Sequence, residues 1–215
     1  MKYYVVADVH GFCSILKDSL KEKGFFNDEE PHKLIICGDL FDRGSEAVEL
    51  QNFILELLEK DEVILIKGNH EELLVDMLNS WHRASYLESH HNSNGTVDTV
   101  LQLTGTRLAD LYDNPSDVYY KMKETPFMQK ILPTMVNYFE TENHIFVHGW
   151  IPCESIRQNP YAVTYFAIDD WRNASAKQWS FARWINGMDA AHDGVIEENK
   201  TIVCGHWHSS YGHSR

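Results

Sequence analysis

The stretch Leu34-Ile35-Ile36-Cys37-Gly38-Asp39-Leu40-Phe41-Asp42-Arg43-Gly44 sets the reading of the whole chain. An apolar run makes a short buried strand, a glycine turns the backbone, and two carboxylates and an arginine follow at once. The same pattern recurs on either side. Residues 2–7 run into Asp8-Val9-His10-Gly11, and residues 63–66 run into Gly68-Asn69-His70-Glu71. Between these runs the apolar spacing is helical. Ile15, Leu16 and Leu20 mark one helix, with Gly24 as its stop. Ala47, Leu50, Ile54, Leu57 and Leu58 mark a second. Ser45 is its expected N-cap, and Glu46 and Glu49 favour the first turn electrostatically. This β-α-β-α-β alternation predicts an α/β fold with a parallel sheet and right-handed crossovers.

The pattern changes beyond residue 70. Residues 71–81 read as a helix, and residues 83–94 as a polar loop that leaves His90 and His91 solvated. Residues 97–138 read as weak helix interrupted by Pro115, Pro126 and Pro133. Residues 82–133 are thus expected to form a helical insertion or cap on a single domain spanning residues 1–215. Residues 135–140 and 144–147 flank Thr141-Glu142-Asn143 and predict a hairpin. Residues 154–199 read as irregular, with Trp171, Trp179 and Trp184 serving packing rather than base stacking. A last strand at 201–204 runs into Gly205-His206-Trp207-His208.

Composition narrows the function. The 215 residues are 43% hydrophobic and 24% charged, an ordinary globular balance. No apolar run approaches the roughly 20 residues that cross a bilayer. Asp8 falls too early for a signal peptide, so a cytoplasmic protein is expected. Cys13, Cys37, Cys153 and Cys204 form no C-x-x-C pair, which argues against a zinc ribbon. Cys37 and Cys204 read as small buried residues at strand ends. A formal net charge of −13 argues against non-specific nucleic-acid binding. It is compatible with a phosphate substrate if cations supply the local positive charge.

In an open α/β sheet the carboxyl ends of the strands line one crevice. Five runs would aim Asp8, His10, Asp39, Asn69, His148 and His206 at that crevice. Carboxylate, amide and imidazole donors suit manganese, iron(II) or zinc better than calcium. A single Asp can bridge two ions about 3.5–4 Å apart.

Taken in order, Asp8-x-His10, Gly38-Asp39-x-x-Asp42-Arg43-Gly44, Gly68-Asn69-His70-Glu71, His148-Gly149 and Gly205-His206 resemble the signature of calcineurin-like metallophosphoesterases. The unbroken Asp42-Arg43-Gly44 and Asn69-His70-Glu71 resemble its phosphoprotein phosphatase branch, which includes protein Ser/Thr phosphatases and symmetrical diadenosine tetraphosphatases. The resemblance implies a metallophosphoesterase-type β-sheet sandwich flanked by helices, and two divalent ions, with Mn2+ first and Fe2+/Fe3+ or Zn2+ as alternatives. It implies that Asp8 and His10 hold one ion, Asp39 bridges, and Asn69, His148 and His206 hold the other. Arg43 and Asn69 would contact the substrate phosphate, His70 would protonate the leaving oxygen, and Asp42 would orient His70. A metal-activated hydroxide would be the nucleophile. A second phosphate-binding arginine is expected between His148 and His206, with Arg183 preferred over Arg157 and Arg172. The chain departs from the branch at Trp207-His208, which makes His208 an additional ligand or a substrate contact. Family sheets continue after the last histidine, so the resemblance also implies that C-terminal strands are missing.

The implied partner is a phosphorylated substrate. The leading expectation is a phosphomonoesterase of Ser/Thr protein phosphatase type. The alternatives are a hydrolase of diadenosine polyphosphates or other nucleotide anhydrides, and a non-catalytic metal-binding scaffold. Asp42 and His70 argue against the scaffold, which has no use for an acid pair.

Overall fold

The computed structural model describes residues 1–81, 89–159 and 162–207. Strands β1 (Lys2–Val6), β2 (His32–Cys37) and β3 (Val63–Ile66) form a parallel sheet in that order. Helices α1 (Cys13–Glu22) and α2 (Ala47–Glu59) make the connections that parallel neighbours require. The apolar run that opens β2's motif is buried on both faces: Leu34, Ile35 and Ile36 are fully covered. Side chains alternate along a strand, so the two faces serve different cores. Leu34 and Ile36 pack with Leu16, Leu20, Leu50 and Ile54 of the helices. Ile35 and Cys37 pack with Phe146 of a second sheet.

The remaining strands are β4 (Phe139–Glu140), β5 (His144–Phe146), β6 (Cys153–Asn159), β7 (Ala162–Ala167) and β8 (Thr201–Val203). The second sheet has the order β4-β5-β8, antiparallel then parallel. Phe139 and Val203 join Ile35, Cys37, Ile66 and Phe146 between the sheets. Val136 sutures the gap: it donates to Leu65 O and accepts from Lys67 N–H, both at 2.9 Å. Behind the second sheet lies a separate core of Ile145, Val147, Trp150, Trp171, Trp179 and Ile185. The architecture is the expected sandwich flanked by helices.

Beyond β3 run α3 (Asn69–Asn79), α4 (Ser89–Asn94), α5 (Thr96–Thr104), α6 (Leu108–Asp113) and α7 (Pro115–Lys123). A π-turn at Phe127–Ile131 follows, and α8 (Ala176–Ala182) and α9 (Gly187–His192) precede β8. Among the described residues, no helix is long and apolar enough to cross a membrane.

Several local expectations are corrected. Residues 89–94 are helical rather than loop, and His91 is fully buried. Tertiary contact overrides the low helical propensity of a Ser/His/Asn segment there. Residues 154–199 are not irregular: β6 and β7 pair as an antiparallel hairpin, and α8 and α9 follow. Every β6 residue after Cys153 is exposed, so the apolar alternation that would reveal a strand is missing. Ser45 does not cap α2. The cap position is Glu46, whose carboxylate instead accepts from Ser14 N–H at 2.8 Å and Ser14 Oγ–H at 3.1 Å. Cys37 is buried as expected, whereas Cys204 is only half-buried.

Candidate metal centre

The strand-end loops are fastened to each other before any side chain is considered. His10 N–H donates to Asp39 O at 2.9 Å, Gly11 N–H to Leu40 O at 2.7 Å, and Gly44 N–H to His10 O at 2.8 Å. This zipper holds unusual backbone. Among the described residues, the non-glycine positions with positive φ are Asp8, His10, Asp39, Asp42, Arg43, Asp61 and His206. All but Asp61 belong to the strand-end motifs. Left-handed conformations of such residues cost of order 1–3 kcal/mol each and persist only where the surroundings enforce them. Gly38 has φ +84°, and any Cβ there would run into the imidazole of His148. A Cβ at Gly68 would strike the Asp39 carboxylate.

Asp39 sits at the middle of the donors. His10 Nε2 is 3.7 Å from its Oδ2, His70 Nε2 is 3.8 Å from the same oxygen, and His148 Nε2 is 3.4 Å from its Oδ1. His10, Asp39 and His70 form one group of potential ligands, and Asp39, His148 and His206 form another. Asn69 Oδ1 joins the second group, 2.7 Å from His148 Nε2 and 2.9 Å from His206 Nδ1. The far ring nitrogens fix the tautomers. His10 Nδ1–H donates to Phe41 O at 2.9 Å and His148 Nδ1–H to Cys37 O at 2.8 Å, which turns both Nε2 lone pairs inward. Asp8 is placed differently: its carboxylate accepts the His206 backbone N–H at 3.0 and 2.9 Å. It lies in neither ligand group.

A second constellation adjoins the first. His70 Nδ1–H donates to Asp42 Oδ2 at 2.7 Å. Arg43 Nη2 donates to His70 Nε2 at 3.3 Å, with the arginine itself exposed. Asp42 is buried and held from α5: Thr99 Oγ–H reaches its Oδ1 at 2.6 Å and Thr96 Oγ–H its Oδ2 at 2.8 Å.

Burial governs the electrostatics. It lowers His10 and His206 to about 4 and His148 to about 3, so these imidazoles are neutral near pH 7. Neutral imidazole is the form that ligates metals. Burial, reinforced by the nearby Glu71 carboxylate, pushes Asp39 well above the usual carboxylate range. His148 Nε2, Asn69 Oδ1 and Asp39 Oδ1 thus face one another as acceptors. A proton on His148 is disfavoured by burial, and a cation satisfies all three at once. The residues fit divalent metal ions.

Reasoning from sequence missed the supports. Glu71, quoted within its motif but given no role, is buried and accepts three backbone N–H groups: Gly68 at 2.7 Å, Leu40 at 2.9 Å and Asp39 at 3.1 Å. Thr96 and Thr99 carried no signal at all, since a helix interior gives no reason to expect a hydroxyl pair aimed at a distant carboxylate. The Arg183 guanidinium donates to Glu72 and Asn137, each at 2.5 Å, and to Lys67 O at 3.1 Å. Arg172 is likewise engaged by Glu140 and Glu197. Trp171 and Trp179 are buried as expected, but Trp184 is exposed. His208 lies outside the described residues.

The chain resembles curated proteins over about a third of its length. Over 75 residues it is 37% identical to the symmetrical bis(5'-nucleosyl)-tetraphosphatase of Buchnera aphidicola, covering 35% of this chain and 26% of that protein. Over 73 residues it is 36% identical to serine/threonine-protein phosphatase 1 of Salmonella typhimurium, covering 34% of this chain and 31% of that protein. The matches therefore span about a quarter to a third of those relatives. Among solved structures, a protein serine/threonine phosphatase from Saccharomyces cerevisiae aligns over 81% of this chain and 43% of that one, with TM-score 0.44 and 18% identity. Residues 1–210 match the profile of the calcineurin-like phosphoesterases, and the chain belongs to that family.

Proposed function

We propose that the protein is a two-metal phosphoesterase acting on phosphomonoesters in the manner of a Ser/Thr protein phosphatase. One observation carries the reading: the Asp39 carboxylate stands between two imidazole groups, with the Asp42–His70–Arg43 constellation beside it. Asp8, His10 and Asp39 would hold one ion, and Asp39, Asn69, His148 and His206 the other. His208 would be an additional ligand or a substrate contact. Manganese suits this mixed oxygen and nitrogen set, with iron or zinc as alternatives. Bound cations supply positive charge to phosphate oxygens and acidify water.

The protein's own groups do the rest. Arg43, exposed at the mouth, offers a planar fork to two phosphate oxygens. Asn69 would add an amide contact to the phosphate. His70 would hold its Nδ1–H on Asp42, while Nε2, which accepts from Arg43 in this structure, would take up a proton and pass it to the departing oxygen. Asp42 balances the charge on that imidazole, and the Thr96 and Thr99 hydroxyls keep Asp42 in place. A scaffold without catalysis would leave this relay without a purpose.

A second reading, hydrolysis of nucleotide anhydrides, has one observation in its favour. Trp184 and Trp207 are each about half exposed, and each ring lies 5.9 Å from the ring of His206. Exposed aromatic faces beside a phosphate site suit base stacking. The test is turnover of an aryl phosphate, a phosphoprotein and a dinucleoside polyphosphate, with and without chelation, alongside metal quantification. Chelator-sensitive cleavage of the first two is expected. Preference for the dinucleotide would transfer the assignment to the second reading, and full activity after complete metal removal would end both.

A further inference from the structure

A third group of potential ligands lies away from the centre. Asp76 of α3 and His90 and His91 of α4 place one ligand atom each within 4.8 Å of one another. His91 Nε2 faces the Asp76 carboxylate at 3.5 Å, and the two imidazole centroids are 4.1 Å apart. Asp76 follows His70 by six positions on one helix, which displaces it about 9 Å along the axis. The group shares no residue with the Asp39 centre.

This convergence is unusual for its local sequence. Neighbouring residues of a helix do not share a face, since successive side chains turn by about 100°. His90 and His91 nevertheless bring their rings together against one carboxylate. His91 is fully buried at the α3–α4 contact, while His90 and Asp76 are exposed. The arrangement is open on one side, with two imidazoles and one carboxylate as donors. That donor set is the kind zinc takes with three protein ligands and one open position. Calcium and magnesium demand more oxygen than the group offers.

We propose that Asp76, His90 and His91 form a separate binding site for a zinc-like divalent ion, which fastens α4 to α3. The consequence follows from connectivity. α3 begins with Asn69 and His70, and α4 leads through Gly95 directly into α5, whose Thr96 and Thr99 hold Asp42. An ion at this site ties the helix that begins at the metal centre to the helix that secures the acid relay. Zinc would therefore act as a structural clip at a distance from the reacting phosphate.

The test counts ions. The full chain is dialysed to equilibrium against Zn2+, and total divalent ions per chain are measured by elemental analysis. The same is done for an Asp76→Asn, His90→Ala double variant, in which both altered side chains are exposed. Wild type is expected to hold one ion more than the variant, whatever the number at the Asp39 centre. This keeps the proposal separate from the functional assignment, because only the difference is read. Equal counts would overturn it. If the double variant fails to fold, His90→Ala alone carries the comparison. A zinc affinity for the extra equivalent weakened by at least about tenfold is then expected, and unchanged affinity overturns the site.

Discussion

The two halves of the metal centre are held by different kinds of bond. The loops after β1 and β2 are zipped backbone to backbone, through His10 N–H to Asp39 O and Gly44 N–H to His10 O. The segments carrying His148 and His206 reach that cradle through side chains instead. His148 Nδ1–H bonds Cys37 O, the Asp8 carboxylate takes the His206 backbone N–H, and Arg183 spans to Lys67 O and Glu72. The first half is therefore preformed and carries the acid relay. The second docks two imidazoles onto it. Among the described residues, Asp39 is the one whose carboxylate both ligand groups share.

That comparison is broken most severely at Asp39. Asp39→Asn keeps the shape but removes the charge that both imidazole groups surround. Metal content is expected to fall for both sites together. Losing roughly 4 kcal/mol of transition-state charge stabilisation corresponds to about 10³-fold in kcat/KM. Elemental analysis and steady-state kinetics on the same preparation check it. Loss of one ion with the other retained would mean that the halves act independently.

His70→Ala sharpens the contrast within the first half. His70 is near Asp39 yet bonded to Asp42, so it could serve as ligand or as acid. The expected outcome is the acid: turnover falls by about 10²–10⁴-fold with metal content nearly intact. The deficit should shrink for substrates with good leaving groups, which need little protonation. Parallel loss of metal and activity on every substrate would assign His70 to ligation.

How much of this was legible in the sequence follows from the same division. A buried strand followed by glycine and a polar cluster needs only neighbours to be read, so β1, β2, β3 and their loops were visible, as were His148 and His206. The polar strand β6 was not, because its outward residues follow no apolar alternation. Helix α4 was not, because what holds it is His91 buried against α3, a contact between elements. The bonding of Arg183 falls in the same class. Its place in the chain suits a phosphate ligand, and its ion pair with Glu72, more than a hundred positions earlier, is a contact between elements.

Arg43 and Arg183 therefore make the next comparison. Arg43→Ala should lower kcat/KM by about 10²-fold, within the range for loss of one charge-stabilising donor, and leave stability unchanged. Arg43→Lys should be intermediate, since the charge remains but the fork is lost. Arg183→Ala should do the reverse. Removing a buried guanidinium strands Glu72 and costs roughly 2–3 kcal/mol, less than the range for fully buried pairs because Glu72 is partly exposed. Thermal unfolding and kinetics on both variants separate the roles. A stable, inactive Arg183→Ala would support the phosphate assignment.

The smallest effect is expected at Glu140, where the second half secures itself. Glu140 on β4 accepts from Arg172 Nη2 at 2.6 Å and from Lys200 Nζ at 2.8 Å, just before β8. The Arg172 hydrogen bonds, followed by that of Lys200, lower the Glu140 carboxyl from its ordinary 4.5 to about 2. A depressed carboxyl contributes stability that is fully present above its unfolded value and lost as pH falls through its folded value. The window is therefore about pH 4.5 down to about 2. The network is largely solvent-screened, so its worth is about 1 kcal/mol rather than the whole shift. Glu140→Gln should lower Tm by about 2–4 °C at pH 7 for a chain of this size. The difference from wild type should shrink as pH falls from 4.5 towards 2 and vanish below it, where both side chains are neutral. Because the network joins β4 to the entry of β8 and touches no ligand, kcat/KM and metal content at pH 7 should be unchanged. A drop in metal content would mean that His206, three residues beyond β8, depends on this edge as well as on Asp8.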